Sequence, residues 1–84
     1  MYFLYILYSP SRKKYYIGYT SNPDDRLIKH NSKHKGFTHG VKDWEIVYTE
    51  QFQTKQEAMK RENQIKSWKN RQLIEALIRD SSAG

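Results

Sequence analysis

The first segment of the chain, residues 2–8, reads Tyr-Phe-Leu-Tyr-Ile-Leu-Tyr and shows no alternation with polar residues. A β-strand with one solvent-facing side alternates apolar and polar positions, whereas a strand covered on both faces reads as a continuous apolar run. The segment therefore predicts a central strand with structure packed on both sides. In a chain of 84 residues, this favours one small sheet covered by helices.

Further strand and helix signals follow in a regular order. Asn22 precedes a proline and two acidic residues, which is a typical helix start, and Thr54 forms a capping box with Glu57. The predicted elements after the first strand are a strand over residues 15–20, a helix from residue 22 to residues 30–33, a strand over 44–49, a helix over 54–68 and a helix capped by Asn70. This β-β-α-β-α-α order predicts an α+β fold, with a small three-stranded antiparallel sheet flanked by helices. Residues 1–80 should form a single domain and residues 81–84 a disordered tail.

Positive charge is concentrated in the first half of the chain. The net charge is +6, and residues 1–42 carry eight Lys and Arg against two Asp and Glu, whereas residues 43–84 carry seven of each. A basic surface attracts phosphates through the electrostatic term that dominates nucleic-acid affinity, but it also serves solubility alone. The basic residues predicted to bind nucleic acid are Arg12, Lys13, Lys14, Lys33, Lys35 and Lys42.

Several classes of protein and site are disfavoured by the composition. The chain has no Cys, which excludes disulfides and Cys-based zinc sites and fits a reducing, cytoplasmic location. No apolar stretch reaches membrane-spanning length, and the N-terminus lacks the layout of a signal peptide, so no membrane association is predicted. His30, His34 and His39 suggest zinc, but neither Cys nor a carboxylate at ligand spacing completes such a site.

Glu62 occupies an unusual position in the predicted second helix. At 100° per residue it shares a face with Ala58 and Ile65, which should pack on the core. A carboxylate there loses hydration unless a cation, a metal or a cleft compensates. A structural ion pair, or a helix rotated toward water, accounts for the pattern equally well.

Four other side chains are candidates for chemistry, each with a simpler structural explanation. Arg26 and His30 lie one helical turn apart and share a face, which is also typical of an exposed polar surface. Tyr5 and Tyr16 could be core rings, since seven tyrosines in so short a chain make that the default.

Taken together, these residues match the pattern of one family. Residues 16–18 spell YIG, and residues 3–5 place a Tyr eleven positions before the YIG Tyr, where the family carries GIY. The matching functional positions are Tyr5, Tyr16, Arg26, His30 and Glu62. Over residues 2–79 the chain resembles the GIY-YIG nuclease family, most of all its small stand-alone bacterial members. It departs from the pattern at Phe3 and Leu4, which replace Gly and Ile, and at Tyr19, where several relatives carry a Lys.

The resemblance implies hydrolysis of phosphodiester bonds in DNA with a single Mg²⁺ or Mn²⁺ ion. Glu62 would be the metal ligand, and Arg26 would hold the scissile phosphate. Tyr5 would orient or deprotonate the attacking water, with Tyr16 and His30 hydrogen-bonding nearby. Because an unperturbed phenol has a pKa of about 10, a general-base role for Tyr5 requires a cation such as Arg26 or the metal to lower that value.

The resemblance also implies a class of substrate and partner. A domain of this kind without attachments should cut DNA, including branched or damaged DNA, with low sequence specificity or by structure, in bacterial DNA metabolism and repair. A protein partner could supply further specificity. The alternative is a nucleic-acid-binding module with little or no turnover. A purely structural protein would require both the basic first half and the aligned residues to be coincidental.

Overall fold

A computed structural model describes residues 1–32 and 42–82 of the protein. Its elements, in chain order, are β1 (Tyr2–Ser9), β2 (Lys14–Thr20), α1 (Pro23–Asn31), β3 (Glu45–Phe52), α2 (Lys55–Ser67) and α3 (Arg71–Ser82). The predicted α+β class and β-β-α-β-α-α order are confirmed. None of the helices in the described ranges is long and apolar enough to cross a bilayer.

The sheet is antiparallel, with strand order β2-β1-β3. The predicted central position of the apolar first strand is therefore confirmed, and β2 lies at an edge of the sheet. β3 runs three residues beyond its predicted end at residue 49, because Phe52 pairs with Tyr2 at the start of β1.

Both faces of the central strand are covered. Leu4 and Ile6 pack with Ile65 of α2 on one face, whereas Tyr5 and Leu7 pack on the other face, where Leu27 of α1 joins them. This division follows from the alternation of side chains along a strand. It places Tyr5 on the α1 side of the sheet, next to the edge strand.

The helix ends confirm the predicted caps. The Asn22 side chain accepts a hydrogen bond from the Asp25 backbone N–H at 3.1 Å, and Thr54 and Glu57 form the capping box. The Asn70 side chain accepts from the Gln72 backbone N–H at 2.9 Å, which accounts for Asn70 as a helix cap.

The last helix reaches into the segment 81–84 for which a disordered tail was predicted. α3 extends to Ser82, and residues 83–84 lie outside the described ranges. No Pro or Gly occurs between Arg71 and Ser82, so the sequence holds no strong helix breaker before that point.

The turn between β1 and β2 is fixed by Asp43. The buried Ser9 hydroxyl donates to one Asp43 carboxylate oxygen at 2.6 Å, and the Ser11 backbone N–H donates to the other at 2.8 Å. These hydrogen bonds, the one from Ser9 first, lower the pKa of the Asp43 carboxyl below its ordinary value near 3.8.

Asp43→Asn is expected to lower the melting temperature at neutral pH. The Ser9 hydroxyl and the Ser11 N–H each donate to a carboxylate oxygen, and the amide replaces one of these acceptors with an NH₂ group, which is itself a donor. A carboxyl whose pKa is depressed in the folded state contributes stability above its unfolded pKa and loses it as pH falls through the folded value. The melting curves of wild type and variant should therefore converge below about pH 4. Equal melting temperatures at pH 7 would show that Asp43 does not hold the turn.

Candidate active site

A cleft of about 410 Å³ opens beside the edge strand β2, near its Thr20 end. Its walls combine phenol, guanidinium, ammonium and carboxylate groups from both strands of the hairpin and from α1 and α2. The side chains that matter for chemistry are Tyr5, Tyr16, Arg26, Lys55 and Glu62. Four of the five predicted site residues thus line one cleft, although they are spread over 58 positions of the chain.

Gly18 is the residue that allows Tyr5 to take its place in this cleft. The two residues pair across the hairpin, and a Cβ atom at Gly18 would lie 2.7 Å from the Tyr5 hydroxyl oxygen and 2.9 Å from the adjoining ring carbon. Such distances are far below van der Waals contact. The Gly of the YIG motif is therefore needed because the Tyr5 ring crosses directly over it.

Gly18→Ala is expected to push the Tyr5 ring aside. Because Tyr5 is only 2% exposed, the ring has little room to yield, and the change should cost about 1–3 kcal/mol of stability. Displacing the hydroxyl by about an ångström should also reduce any catalysis that uses it by roughly 10²-fold. Denaturant unfolding and a cleavage assay measure the two effects. An unchanged unfolding free energy would mean that the backbone accommodates the methyl group.

His30 lies against Tyr5 on the buried side of the cleft. Its Nε2 is 3.3 Å from the Tyr5 hydroxyl oxygen, and its ring centroid lies 4.5 Å from that of Tyr16. Burial, and secondarily the positive charge of Arg26, lowers the His30 pKa. His30 is therefore neutral at neutral pH and can accept a hydrogen bond at one ring nitrogen.

The same burial keeps Tyr5 protonated. Burial raises the Tyr5 pKa well above its ordinary value, Tyr16 and Glu62 raise it further, and Arg26 opposes the rise without cancelling it. Arg26 therefore acts in the expected direction, but desolvation outweighs its effect in the protein without metal.

Trp44 completes the aromatic cluster and was not predicted as part of the site. Its ring centroid lies 6.2 Å from that of His30 and 6.3 Å from that of Tyr16. The Asn31 side chain holds Trp44 in place, donating to its carbonyl at 3.0 Å and accepting from its backbone N–H at 2.8 Å. Trp44 was assigned to the third strand, but that strand begins at Glu45.

Arg26 projects from α1 and is exposed where it lines the cleft. Within residues 1–32 and 42–82, no carboxylate lies at ion-pair distance from its guanidinium; Asp25, a neighbour that could have paired with it, instead lies 3.2 Å from the Lys29 ammonium. The fork of N–H donors is thus available for an anionic ligand.

Glu62 is partly enclosed, as its position predicted. Its side chain is 14% exposed, and Ala58 and Ile65 on the same side of α2 are fully buried. One carboxylate oxygen lies 3.3 Å from the Lys66 ammonium, a group that is itself 52% exposed. The predicted ion-pair alternative is therefore present in a weak form, since it engages one oxygen through a flexible, solvated side chain.

Most of the chain matches the model of one protein family. The family model described as the GIY-YIG catalytic domain matches residues 1–75 of the chain. The chain belongs to the GIY-YIG family. Membership supports nuclease-type activity.

Individual relatives resemble this GIY-YIG domain along most of their length. The UPF0213 protein of Natronomonas pharaonis is 36% identical over 81 residues, which cover 95% of this chain and 93% of the relative. A UPF0213 protein of Staphylococcus epidermidis is 38% identical over 63 residues, covering 74% and 77% of the two chains. The solution NMR structure of a UPF0213 protein from Bacillus halodurans is 34% identical, with a TM-score of 0.52 over 90% of this chain and 85% of that one. The predicted resemblance to the GIY-YIG family and to its small members is thereby confirmed.

Lys55 is a cleft residue of this GIY-YIG domain that the sequence reasoning missed. It is the first residue of α2 and lines the cleft with Glu62, seven positions later. Two helical turns separate them, so helical spacing places both on one face. Lys55 supplies a cation to the cleft although Tyr19 stands where several relatives carry a Lys. Because residues 43–84 carry no net charge, counting charge along the chain did not identify Lys55.

The structure describes four of the six basic residues that were predicted to bind nucleic acid. Arg12 and Lys13 are exposed in the turn before β2, and Lys14 is the exposed first residue of that strand, so all three lie at the opposite end of β2 from the cleft. Lys42 is exposed, and Lys33 and Lys35 lie outside the described residues. None of the four that are described, Arg12, Lys13, Lys14 and Lys42, lines the cleft.

The sequence disfavoured a zinc site. Two of the three histidines considered for it, His34 and His39, lie outside the described residues. Among those that are described, no group of three or more His, Cys, Asp or Glu side chains is placed to hold a metal ion.

Proposed function

We propose that this GIY-YIG domain is an endonuclease that hydrolyses phosphodiester bonds in DNA with one Mg²⁺ or Mn²⁺ ion, with low sequence specificity or by selecting DNA structure. The observation that carries this proposal is the convergence of Tyr5, Tyr16, Arg26 and Glu62 on one cleft of about 410 Å³. A phosphate needs a cation to hold it, and a hydrolytic metal needs an oxygen ligand. The cleft offers both, beside phenol groups that can position water.

The donor set in the cleft fits a hydrated hard cation. Glu62 is the carboxylate that lines it, and one of its oxygens makes no hydrogen bond or ion pair within the described part of the chain. Mg²⁺ retains several waters and commonly takes one or two carboxylates plus phosphate oxygens, so a single Glu suffices. When bound, the ion would neutralise charge at the leaving oxygen.

Arg26 and Lys55 would bind the scissile phosphate. The planar guanidinium of Arg26 can donate two parallel hydrogen bonds to phosphate oxygens, which fixes their orientation. Lys55 adds a point charge from the start of α2. Since Arg26 comes from α1 and Lys55 from α2, the phosphate would lie between the two helices, above the edge of β2.

Tyr5 and His30 would carry the proton from the attacking water. Because burial disfavours the Tyr5 phenolate and keeps His30 neutral, the two groups can act as a relay. As the water oxygen bonds to phosphorus and the phosphorus–oxygen bond to the leaving group breaks, a water proton would move to the Tyr5 oxygen while the Tyr5 proton moves to His30 Nε2, which leaves His30 as imidazolium. This route requires the His30 tautomer protonated at Nδ1, and it avoids a free phenolate. Tyr16 packs against His30 and holds its ring.

The proposal is tested by incubating the protein with supercoiled plasmid, linear duplex and a branched DNA, each with Mg²⁺, Mn²⁺ or a chelator. We expect metal-dependent nicking or cleavage that the chelator stops. Binding without cleavage under all conditions would replace the proposal by the nucleic-acid-binding alternative. Absence of both binding and cleavage would contradict any role with nucleic acid.

Binding to DNA is expected to weaken steeply with salt. Arg26 and Lys55 line the cleft and the net charge is +6, so several counterions should leave the DNA on binding. The logarithm of the binding constant should fall against the logarithm of salt concentration with a slope of about −2 or steeper. Fluorescence anisotropy with a labelled duplex measures this slope, and a slope near zero would contradict a phosphate-binding cleft.

A further inference from the structure

A second opening, of about 470 Å³, lies beside the cleft along the same edge strand. Tyr15 and Ile17 of β2 line it from the sheet, and Ile65 of α2 and Ile74 of α3 line it from the helices. Its walls are mainly apolar, unlike those of the cleft, and its volume lies in the range of small-ligand pockets. We call this opening the apolar groove.

The apolar groove adjoins the cleft. Tyr16 lines both openings, and Lys66 lines the groove while its ammonium pairs with Glu62 in the cleft. β2 spans seven residues, roughly 20 Å at about 3.3 Å per residue. Along it the cleft comes at the Thr20 end, the groove follows, and the basic turn of residues 12–14 comes last.

The charges of the groove suit a polyanion. Lys66 and Lys69 are its charged lining residues, both are exposed, and no acidic residue lines it. A strand leaving the cleft along β2 would therefore meet two ammonium groups beside an apolar surface. A phosphate backbone combined with a base is the chemistry that this pairing fits.

We propose that the apolar groove binds an unpaired nucleotide of the DNA strand whose phosphate lies in the cleft. This inference rests on the proposed function and specifies its substrate. Bases inside a duplex are stacked and paired, so only a nucleotide that has left its partner can place its base against the half-buried Tyr15, Tyr16 and Ile74. Its phosphates would meet Lys66 and Lys69. The domain would thus prefer DNA with an unpaired nucleotide beside the scissile bond.

The wall of the groove is held rigid before any ligand binds. The Tyr15 hydroxyl donates to a Glu75 carboxylate oxygen at 3.2 Å, and the Arg71 guanidinium lies 5.1 Å from the Tyr15 ring centroid. Arg71 also donates to the Lys13 carbonyl at 2.6 Å, which ties α3 to the basic turn. A preformed wall lowers the ordering cost of binding.

The test compares two DNA duplexes of the same sequence that differ in one unpaired nucleotide next to the cleavage position. Wild type should bind the duplex with the unpaired nucleotide about tenfold more tightly or better. Lys69→Glu should remove most of this preference. Lys60→Glu, which makes the same charge change on the exposed Lys60 of α2 away from the groove, should keep it. Thermal melts of both variants confirm that each is folded.

A cross-linking experiment locates the unpaired base on the protein. A photoreactive halogenated uracil at the unpaired position should cross-link to Tyr15 or Ile74, which line the groove and not the cleft, as identified by mass spectrometry.

Four outcomes separate this inference from the proposed function. Cleavage with equal affinity for both duplexes, or a cross-link to another part of the chain, overturns the inference and leaves the nuclease intact. Preference and cross-link without cleavage support the inference and contradict the nuclease. Absence of binding to either duplex overturns both.

Discussion

Replacing Glu62 by Gln is expected to reduce metal-dependent cleavage by roughly 10³-fold or more while the protein stays folded. The amide keeps the shape of the side chain but removes the negative charge that a hard cation requires. Among the residues that the structure describes, Glu62 is the one carboxylate lining the cleft, so no second carboxylate there can replace it. Single-turnover cleavage with Mg²⁺ and with Mn²⁺ measures the effect.

The stability of Glu62→Gln separates this role from a structural ion pair. The partner, Lys66, is 52% exposed, so the pair resembles exposed helical pairs that contribute about 0.3–0.5 kcal/mol. For a domain of this size such a loss shifts the melting temperature by roughly 1–4 °C, and Lys66 left alone remains hydrated. A buried structural pair would instead cost about 3–5 kcal/mol.

Metal-linked melting completes the experiment. Mn²⁺ should raise the melting temperature of wild type and leave Glu62→Gln unchanged, because only a ligand that binds the folded state stabilises it. Glu45→Gln is the matched control, since Glu45 is exposed at the start of β3 and should keep both the metal effect and cleavage. A large loss of stability in Glu62→Gln, with no metal effect on either protein, would contradict the assignment of Glu62 as ligand.

The fold could be predicted largely because its signals are local. The apolar run of β1 indicated a strand covered on both sides, and the caps at Asn22, Thr54 and Asn70 marked helix starts that the structure confirms. The ends of elements were less accurate. The extension of β3 to Phe52 depends on pairing with β1. The register of such a pairing cannot be predicted from the sequence of one strand alone.

The site was predicted less completely, because its missing members have no local signal. Trp44 becomes part of the aromatic cluster through its hydrogen bonds to Asn31, 13 residues earlier. Lys55 and Lys69 belong to a half of the chain with no net charge, and only the packing of α2 along β2 brings them to the cleft and the groove. Charge counted along the chain is therefore a poor guide to charge on a surface.

The chemistry of Tyr5 also depends on tertiary structure. Sequence reasoning expected Arg26 to lower the Tyr5 pKa, and it does act in that direction, but burial beneath the cleft has the larger and opposite effect. The depth of a side chain results from packing over the whole domain, including the contact with Gly18. This is why the proposed proton route passes through His30.

Arg26→Lys is expected to lower cleavage by roughly 10²-fold without altering the fold. Lysine retains the positive charge but offers a single point of contact in place of the bidentate fork. DNA affinity and its salt dependence should therefore change little, because both follow the number of charges that meet phosphates. The loss should appear in the chemical step, where the orientation of the phosphate matters.

Stability and a matched control make this result specific. Arg26 is exposed, and no carboxylate in the described part of the chain lies at ion-pair distance from it, so the melting temperature should remain within the range of ordinary surface substitutions. Arg79→Lys makes the same chemical change at an exposed position of α3 outside the cleft and should leave cleavage intact. If Arg26→Lys cleaves as fast as wild type, Arg26 contributes only a diffuse charge. The fork at the scissile phosphate must then come from elsewhere in the chain.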